Sequence, residues 1–519
     1  MFFLMQDGRC SESLWNSYSS NAVWVALIQG YRAALTVLLF KCAMSVVENF
    51  RAELFRANFP VQRCDHQELR VGCSHALAVC QELPGCDALI ESCNRLRAAC
   101  DTHEVSPSDT AALWQEFLAL KLQLRERCRA AARYGQDWQS PMLSESGAMN
   151  TESDPEYCRQ TGADYKRYLH KVGATYEQDF LNAGSRVVRN NYRALLCSSG
   201  MSAIQISLLS LHRMRPGPIV ADKGLYHETK FLLGLFCSEV TFVDSADIAA
   251  TEAVLQEVQP TLILLEPVRN SAALAALPSE TVERLMETVA LLPSKPFLWF
   301  DDSVSLSFPH LIELAVQHQL QSRVVIAMSL LKLYQHGMDA ASAGMVLAPE
   351  ELLDGPLGMR TLRTHTGANV SDLVAAVLPK PDIAAAQERL AIITRNVGLV
   401  ARILEKECSS LFEVVAPGTA AAVPLPPSGY LPYFNLIPRN GSIDRCRVVV
   451  EEAIRNARAS QIMLHAGTSF GFDVTRLYVI DSRVAGHVPF FRISPGLESV
   501  RMAVTLGELL SRACLQSEV

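Results

Sequence analysis

The chain has no surplus of basic residues: 47 Lys and Arg stand against 54 Asp and Glu, a formal charge of −7. That leaves no electropositive footprint for nucleic acid. A long uncharged apolar run is also missing. The most apolar N-terminal stretch, Ala22 to Val47, is interrupted by Gln29, Arg32 and Lys41, whereas a membrane span needs ~20 largely uncharged residues; it reads as a buried amphipathic helix. No basic segment precedes it, which argues against a secretory leader and for a cytoplasmic protein. No Cys-x-x-Cys pair occurs among the fifteen cysteines, ten of which precede residue 160. Cys73, Cys80, Cys86, Cys93 and Cys100 recur at helical spacing, near one face. A metal or redox cluster is one reading, but without close pairs core packing as small hydrophobes is favoured. The odd total argues for reduced thiols.

A chain of 519 residues exceeds one compact core, so two or three domains are expected. Residues 1–139 read as a helical extension, with apolar positions three and four apart through Ala22–Phe59, Glu68–Cys100 and Thr110–Tyr134. Leu83-Pro84-Gly85 breaks the second segment, and Ser106-Pro107-Ser108-Asp109 caps the third. Residues 140–189 read as a polar linker and arm. From 190 to 378 short β-branched runs alternate with helical ones: Gly217–Ala221, Glu239–Val243, Thr261–Leu265, Phe297–Phe300, Arg323–Ile326 and Gly344–Leu347. This is the α/β pattern of a mainly parallel sheet covered by helices. A long helix from Ile383 to about Cys408 opens a smaller α+β region, 379–519.

Chemistry concentrates in the α/β part. Lys332 follows the Arg323–Met328 strand, with Ser329 three residues before it and Asp339 seven after. A single lysine there is more commonly a surface residue, but neighbouring blocks supply what pyridoxal phosphate requires. Ser198-Ser199-Gly200-Met201-Ser202 before a helix offers amides and hydroxyls to a phosphate, although alone such a motif is more commonly a simple N-cap. Asp301, or its neighbour Asp302, closes a strand where a carboxylate would keep a pyridine nitrogen protonated. Tyr226 would stack on the ring, and Asn270 would donate to its phenolic oxygen.

Together these blocks resemble the Cys/Met-metabolism (trans-sulfuration) family of fold type I pyridoxal-phosphate enzymes, to which cystathionine γ-synthase belongs. The family sequence SSGMxA appears as Ser198–Ala203, YGGT as Tyr226-His227-Glu228-Thr229, ExPxNP as Glu266–Asn270, and DNT as Asp301-Asp302-Ser303. The lysine block runs from Ser329 through Lys332 to Asp339, and RxSxGLE appears as Arg492–Glu498. The resemblance covers about residues 165 to 510. It implies that Lys332 is the Schiff-base lysine and proton shuttle, that Asp301 pairs with the pyridinium nitrogen, and that Tyr226 stacks and assists proton traffic. Ser199, Gly200, Met201 and Ser329 would hold the phosphate, with Asn270 at the ring oxygen. Arg492, helped by Ser469, would bind the substrate carboxylate. Tyr168 and His170 would reach a partner subunit's phosphate in a homodimer or homotetramer.

Three departures stand out: His170 replaces an arginine, Leu331 a threonine, and His227 with Glu228 a pair of glycines. The resemblance implies γ-replacement on an amino acid with a Cγ leaving group, either an activated homoserine or S-adenosylmethionine. A vinylglycine-type intermediate would accept the nucleophile to form a C–S or C–C bond. A β- or γ-lyase acting on sulfur amino acids and a non-catalytic scaffold binding through the helical extension are the alternatives.

Overall fold

The computed structural model describes residues 66–81, 86–101, 113, 116–124, 126–127 and 171–517, apart from 238, 372–373, 376–377 and 482–487. Its larger sheet has the order β1-β7-β6-β5-β4-β2-β3. The strands are β1 (Arg193–Cys197), β2 (Ile219–Asp222), β3 (Val240–Val243), β4 (Leu262–Leu265), β5 (Phe297–Asp301), β6 (Val324–Ser329) and β7 (Gly344–Ala348). Only β7 runs against the other six. The six apolar runs of the sequence thus form β2 to β7. One strand precedes them, so Tyr226 follows the second strand of the sheet. Arg193-Ala-Leu-Leu-Cys197 contains no β-branched residue, which is why alternation alone did not mark it as a strand.

Helices cover both faces, so the inner strands are apolar on each side. Ile263, Leu265, Leu298 and Phe300 enter one core, while Leu262, Leu264 and Trp299 enter the other. Trp299 is fully buried and donates its indole N–H to Ser207 Oγ at 2.9 Å. The remaining elements include α1 (His66–Gln81), α2 (Asp87–Asp101), α3 (Lys171–Ala183), α4 (Gly200–Met214), α5 (His227–Phe236), α6 (Phe308–Gln317), α7 (Ile383–Cys408), α8 (Ile443–Ala459) and α9 (Val500–Gln516). Glu177 of α3 accepts from Leu196 N at 2.8 Å and from Arg363 Nη1 at 2.5 Å, fastening that helix to β1.

The smaller sheet has the order β10-β11-β12-β9-β8, formed by β8 (Phe412–Val415), β9 (Phe434–Pro438), β10 (His465–Ala466), β11 (Arg476–Ile480) and β12 (Phe490–Ser494). Antiparallel pairing of β12 with β9 sets Arg492 opposite Asn435. On the outside α7 and α9 approach closely; a Cβ added at Gly507 would lie 2.8 Å from Ile403 Cδ1. No helix among the described residues is long and apolar enough to cross a membrane.

The described residues between 66 and 127 form a separate apolar layer. Cys73, Cys80, Cys86, Cys93 and Cys100 are all buried as thiols with Leu69, Leu96, Phe117 and Leu124, so they are core hydrophobes, as the missing close pairs suggest. Met338, from the loop beyond Lys332, joins this cluster and docks the layer on the sheet domain.

Candidate active site

Parallel strands present their carboxyl ends, with the loops that follow, along one edge of a sheet. Here β2 ends at Asp222, β4 leads into Glu266, β5 ends at Asp301, and β6 leads into Lys332. The register places Leu265 beside Phe300 and Asp301 beside Ala327, so these groups share that edge. Lys332 Nζ lies 4.8 Å from the Phe470 ring centroid and 5.9 Å from that of Tyr226. Lost solvation pulls the ammonium below the usual lysine range. Asp301, Glu266 and Glu228 oppose that shift, and Arg492 adds to it.

The neighbouring aspartates separate cleanly. Asp302 is fully buried and accepts from Ser305 Oγ at 2.6 Å, Ser307 N at 3.0 Å and Phe308 N at 2.6 Å. It therefore caps α6, and burial raises its carboxyl to about 7 against those donors. Asp301 accepts from Ser303 N at 2.9 Å. Burial raises its carboxyl too, while Ser303 and Lys332 draw it down. Of the two, Asp301 is the one coupled to Lys332.

A concave backbone faces the end of β6. Ser199 caps α4, its Oγ accepting from Ser202 N at 3.0 Å. The first intrahelical bond is Ala203 N to Ser199 O at 3.0 Å, leaving the amides of Gly200 and Met201 without a partner among the described residues. A Cβ on Gly200 would stand 2.8 Å from Ser329 Cβ, so only glycine lets the turn sit this close to the strand end.

Tyr226 caps α5, which places His227, Glu228 and Thr229 in a first helical turn. Its amide donates to Glu266 Oε1 at 2.5 Å. Glu266 is buried and raised well above the carboxylate range by burial and by Asp301. Burial also lifts the Tyr226 phenol above its ordinary range, with Glu228 adding through charge and a hydrogen bond. The loops after β2 and β4 are joined by Arg269, which pairs with Asp222 at 3.0 Å and Asp244 at 2.8 Å, and by Asn270 N to Gly224 O at 2.7 Å.

Arg492 enters from the smaller sheet. Its Nη2 donates to Asn270 Oδ1 at 3.0 Å, Nε to Asn435 Oδ1 at 3.4 Å, and its guanidinium lies 3.9 Å from the Tyr433 ring centroid. No carboxylate pairs with it among the described residues. Asn435 Nδ2 also donates to Ser271 O at 3.0 Å, tying the two sheet regions together. Ser469 adopts φ of 76° and its buried Oγ has no partner among the described residues.

The structure thus gathers Lys332, Tyr226, Asp301, Asn270, Arg492 and the Ser199–Met201 turn beside Ser329. Tyr168 and His170 lie outside the described residues. Sequence reading left Glu266, Tyr433 and Phe470 out of the site. An acid following the Leu262–Leu265 run was a usable signal for Glu266; nothing local marked the two aromatics.

An open sheet with six parallel strands, a lysine at its carboxyl edge and a second, mostly antiparallel sheet supplying an arginine define fold type I. Comparison with known proteins agrees. The chain resembles MetB from Corynebacterium glutamicum (TM-score 0.52, 18% identity, 68% of this chain and 88% of that one). It resembles cystathionine γ-synthase from Xanthomonas oryzae pv. oryzae, solved with cystathionine (0.51, 16%, 68% and 88%). It also resembles a putative O-acetylhomoserine (thiol)-lyase from Campylobacter jejuni solved with a pyridoxyl-lysine monophosphate (0.51, 17%, 67% and 87%). The chain has the fold of these structures, fold type I. By sequence it is 24% identical over 396 residues to the bifunctional enzyme FlvA of Aspergillus flavus, covering 70% of this chain but 44% of that protein. No family profile matches.

Proposed function

We propose that the protein is a pyridoxal-5′-phosphate-dependent enzyme that performs γ-replacement on an amino acid with a Cγ leaving group. The observation that carries this reading is the convergence, from three separate chain segments, of Lys332, buried Asp301 and Arg492, which has no carboxylate partner among the described residues. The residues fit the cofactor. The Gly200–Met201 amides and Ser329 suit its phosphate, Asp301 its ring nitrogen, Asn270 its ring oxygen, and Tyr226 its face. When bound, the cofactor supplies an electron sink for charge developing on the substrate Cα.

The chain does the rest. Arg492 would clamp the α-carboxylate bidentately, aided by Ser469, and so orient the Cα–H bond. Lys332, its pKa lowered by burial, would take the Cα proton, pass it on and, neutral again, take a Cβ proton as the Cγ group departs with its bonding electron pair. Phe470, Tyr433 and Tyr226 would limit water, favouring an added nucleophile. Glu228 places a carboxylate beside Tyr226, which suits a cationic leaving group such as the sulfonium of S-adenosylmethionine; an O-acylated homoserine is the neutral candidate.

We place the enzyme in the cytoplasm, where the ten described cysteines, all thiols, would remain reduced. Assembly at least to a homodimer is supported by Phe231 and Leu235. They lie four residues apart on α5 just after Tyr226, and are 66% and 67% exposed, a patch suited to a second copy.

The test is the visible spectrum with pyridoxal phosphate, before and after O-acetylhomoserine or S-adenosylmethionine. A cofactor band lost in Lys332→Ala, and a new band with one donor, would support the reading and identify the substrate. Ammonia and oxoacid released without a nucleophile would make it a lyase. No band at all would sink the enzyme reading and leave a binding role for the helical layer.

A further inference from the structure

We infer that Lys121, in the helical layer, is a positioning residue for the loop that walls Lys332. Lys121 is 8% exposed, and its ammonium finds acceptors outside its own segment: Asp473 through a buried ion pair, and His336 O at 3.0 Å. A buried ammonium loses several kcal/mol of hydration unless it is paired and hydrogen-bonded, so this contact fixes where the segment sits. Asp473 lies in the loop between β10 and β11. Ser469 there holds a left-handed φ of 76°, Phe470 lies over Lys332 Nζ, and a Cβ on Gly471 would come within 2.5 Å of Lys332 O.

A left-handed non-glycine residue persists only where its surroundings over-determine it. From the body, Arg389 donates to Gly471 O at 3.1 Å and pairs with Asp473 at 2.9 Å, while Glu498 accepts from Thr475 N at 2.5 Å. Lys121 holds the other carboxylate oxygen of Asp473, Oδ2, where Arg389 pairs with Oδ1. Lys121 therefore carries the helical layer's polar contact to this loop, setting how closely Phe470 and Ser469 approach the substrate. The catalytic consequence rests on the proposed function; the mechanical one does not.

The experiment compares full-length wild type, Lys121→Met, Lys121→Arg and Arg95→Met. The last removes an exposed ion pair with Glu116 in the same layer. Amide exchange is followed across residues 469–473, and KM and kcat are measured on the cofactor-loaded protein. Lys121→Met should speed exchange in that loop about 100-fold and raise KM about tenfold with kcat within about threefold. Lys121→Arg should restore most of both, and Arg95→Met should change neither. Wild-type exchange in Lys121→Met, or an equal effect from Arg95→Met, would overturn the inference. If Lys121→Met does not fold, Lys121→Gln, which keeps a donor without the charge, takes its place under the same criteria. Loss of loop protection in a protein that never binds the cofactor would sustain the inference while the proposed function fell.

Discussion

Replacing Asp302 with alanine should destabilise the protein far more than replacing Asp301, although the two are adjacent and both buried. Asp302 satisfies three buried donors, from Ser305, Ser307 and Phe308, at 2.6, 3.0 and 2.6 Å. Leaving such donors unpaired costs about 1–3 kcal/mol each, offset in part because the burial cost of the carboxyl disappears with it. A net loss of about 3 kcal/mol follows. Asp301 accepts one amide, from Ser303, so Asp301→Ala should cost about 1 kcal/mol or less while removing cofactor-dependent activity.

The pH dependence of the gap gives a second check. The folded pKa of Asp302, about 7, lies above the unfolded value. The native state therefore binds a proton that the unfolded chain has released, and wild-type stability falls as pH rises until the group has titrated. Asp302→Ala has no such group, so the stability gap should narrow by about 1.4 kcal/mol between pH 6 and pH 8. Urea unfolding at both pH values measures it. Equal losses for the two variants, or a gap that widens with pH, would refute the division of roles.

Gly200→Ala should weaken cofactor binding about tenfold or more in a fluorescence titration, because the new methyl meets Ser329 Cβ at 2.8 Å and must push the turn from the strand end. Arg492→Lys keeps the charge but loses the planar fork held by Asn270 and Asn435. Steady-state kinetics should show KM raised about 10–100-fold with a smaller change in kcat. Trp299→Phe loses the bond to Ser207, whose hydroxyl keeps its own acceptor, Ala203 O, at 2.8 Å. The cost should be about 1–2 kcal/mol by urea unfolding, with activity retained.

The parallel core was legible because Thr261–Leu265 and Arg323–Ile326 are buried on both faces, so their apolar runs are continuous. The long helix Ile383–Cys408 was legible for the opposite reason: Ile383, Ala386, Leu390, Ile393, Val397 and Val400 bury one face only, which leaves a helical period. Strand β1 escaped because its stability comes from pairing with β7, a partner about 150 residues away, and not from local propensity. Site residues at strand ends could be read from their place after an apolar run. Tyr433 and Phe470 could not, because they meet the site only once the smaller sheet is in place; their rings lie 5.1 Å apart in space and 37 positions apart in sequence. Lys121 is further removed still, since a lysine on a helix carries no mark of the aspartate it will meet.

The amide clamp on Arg492 has a practical consequence. In the proposed role of Arg492 as carboxylate clamp, a guanidinium steadied by two carboxamides and an aromatic ring would meet an arriving carboxylate without displacing a counter-ion from among the described residues. The same openness admits other anions. Chloride, sulfate or phosphate from a buffer would occupy that position in the resting protein and compete with the amino acid. Ionic composition, as much as ionic strength, would therefore set the apparent affinity. A carboxylate partner would have made the pocket indifferent to its medium at the expense of grip; the carboxamides leave it responsive to whichever anion is most abundant.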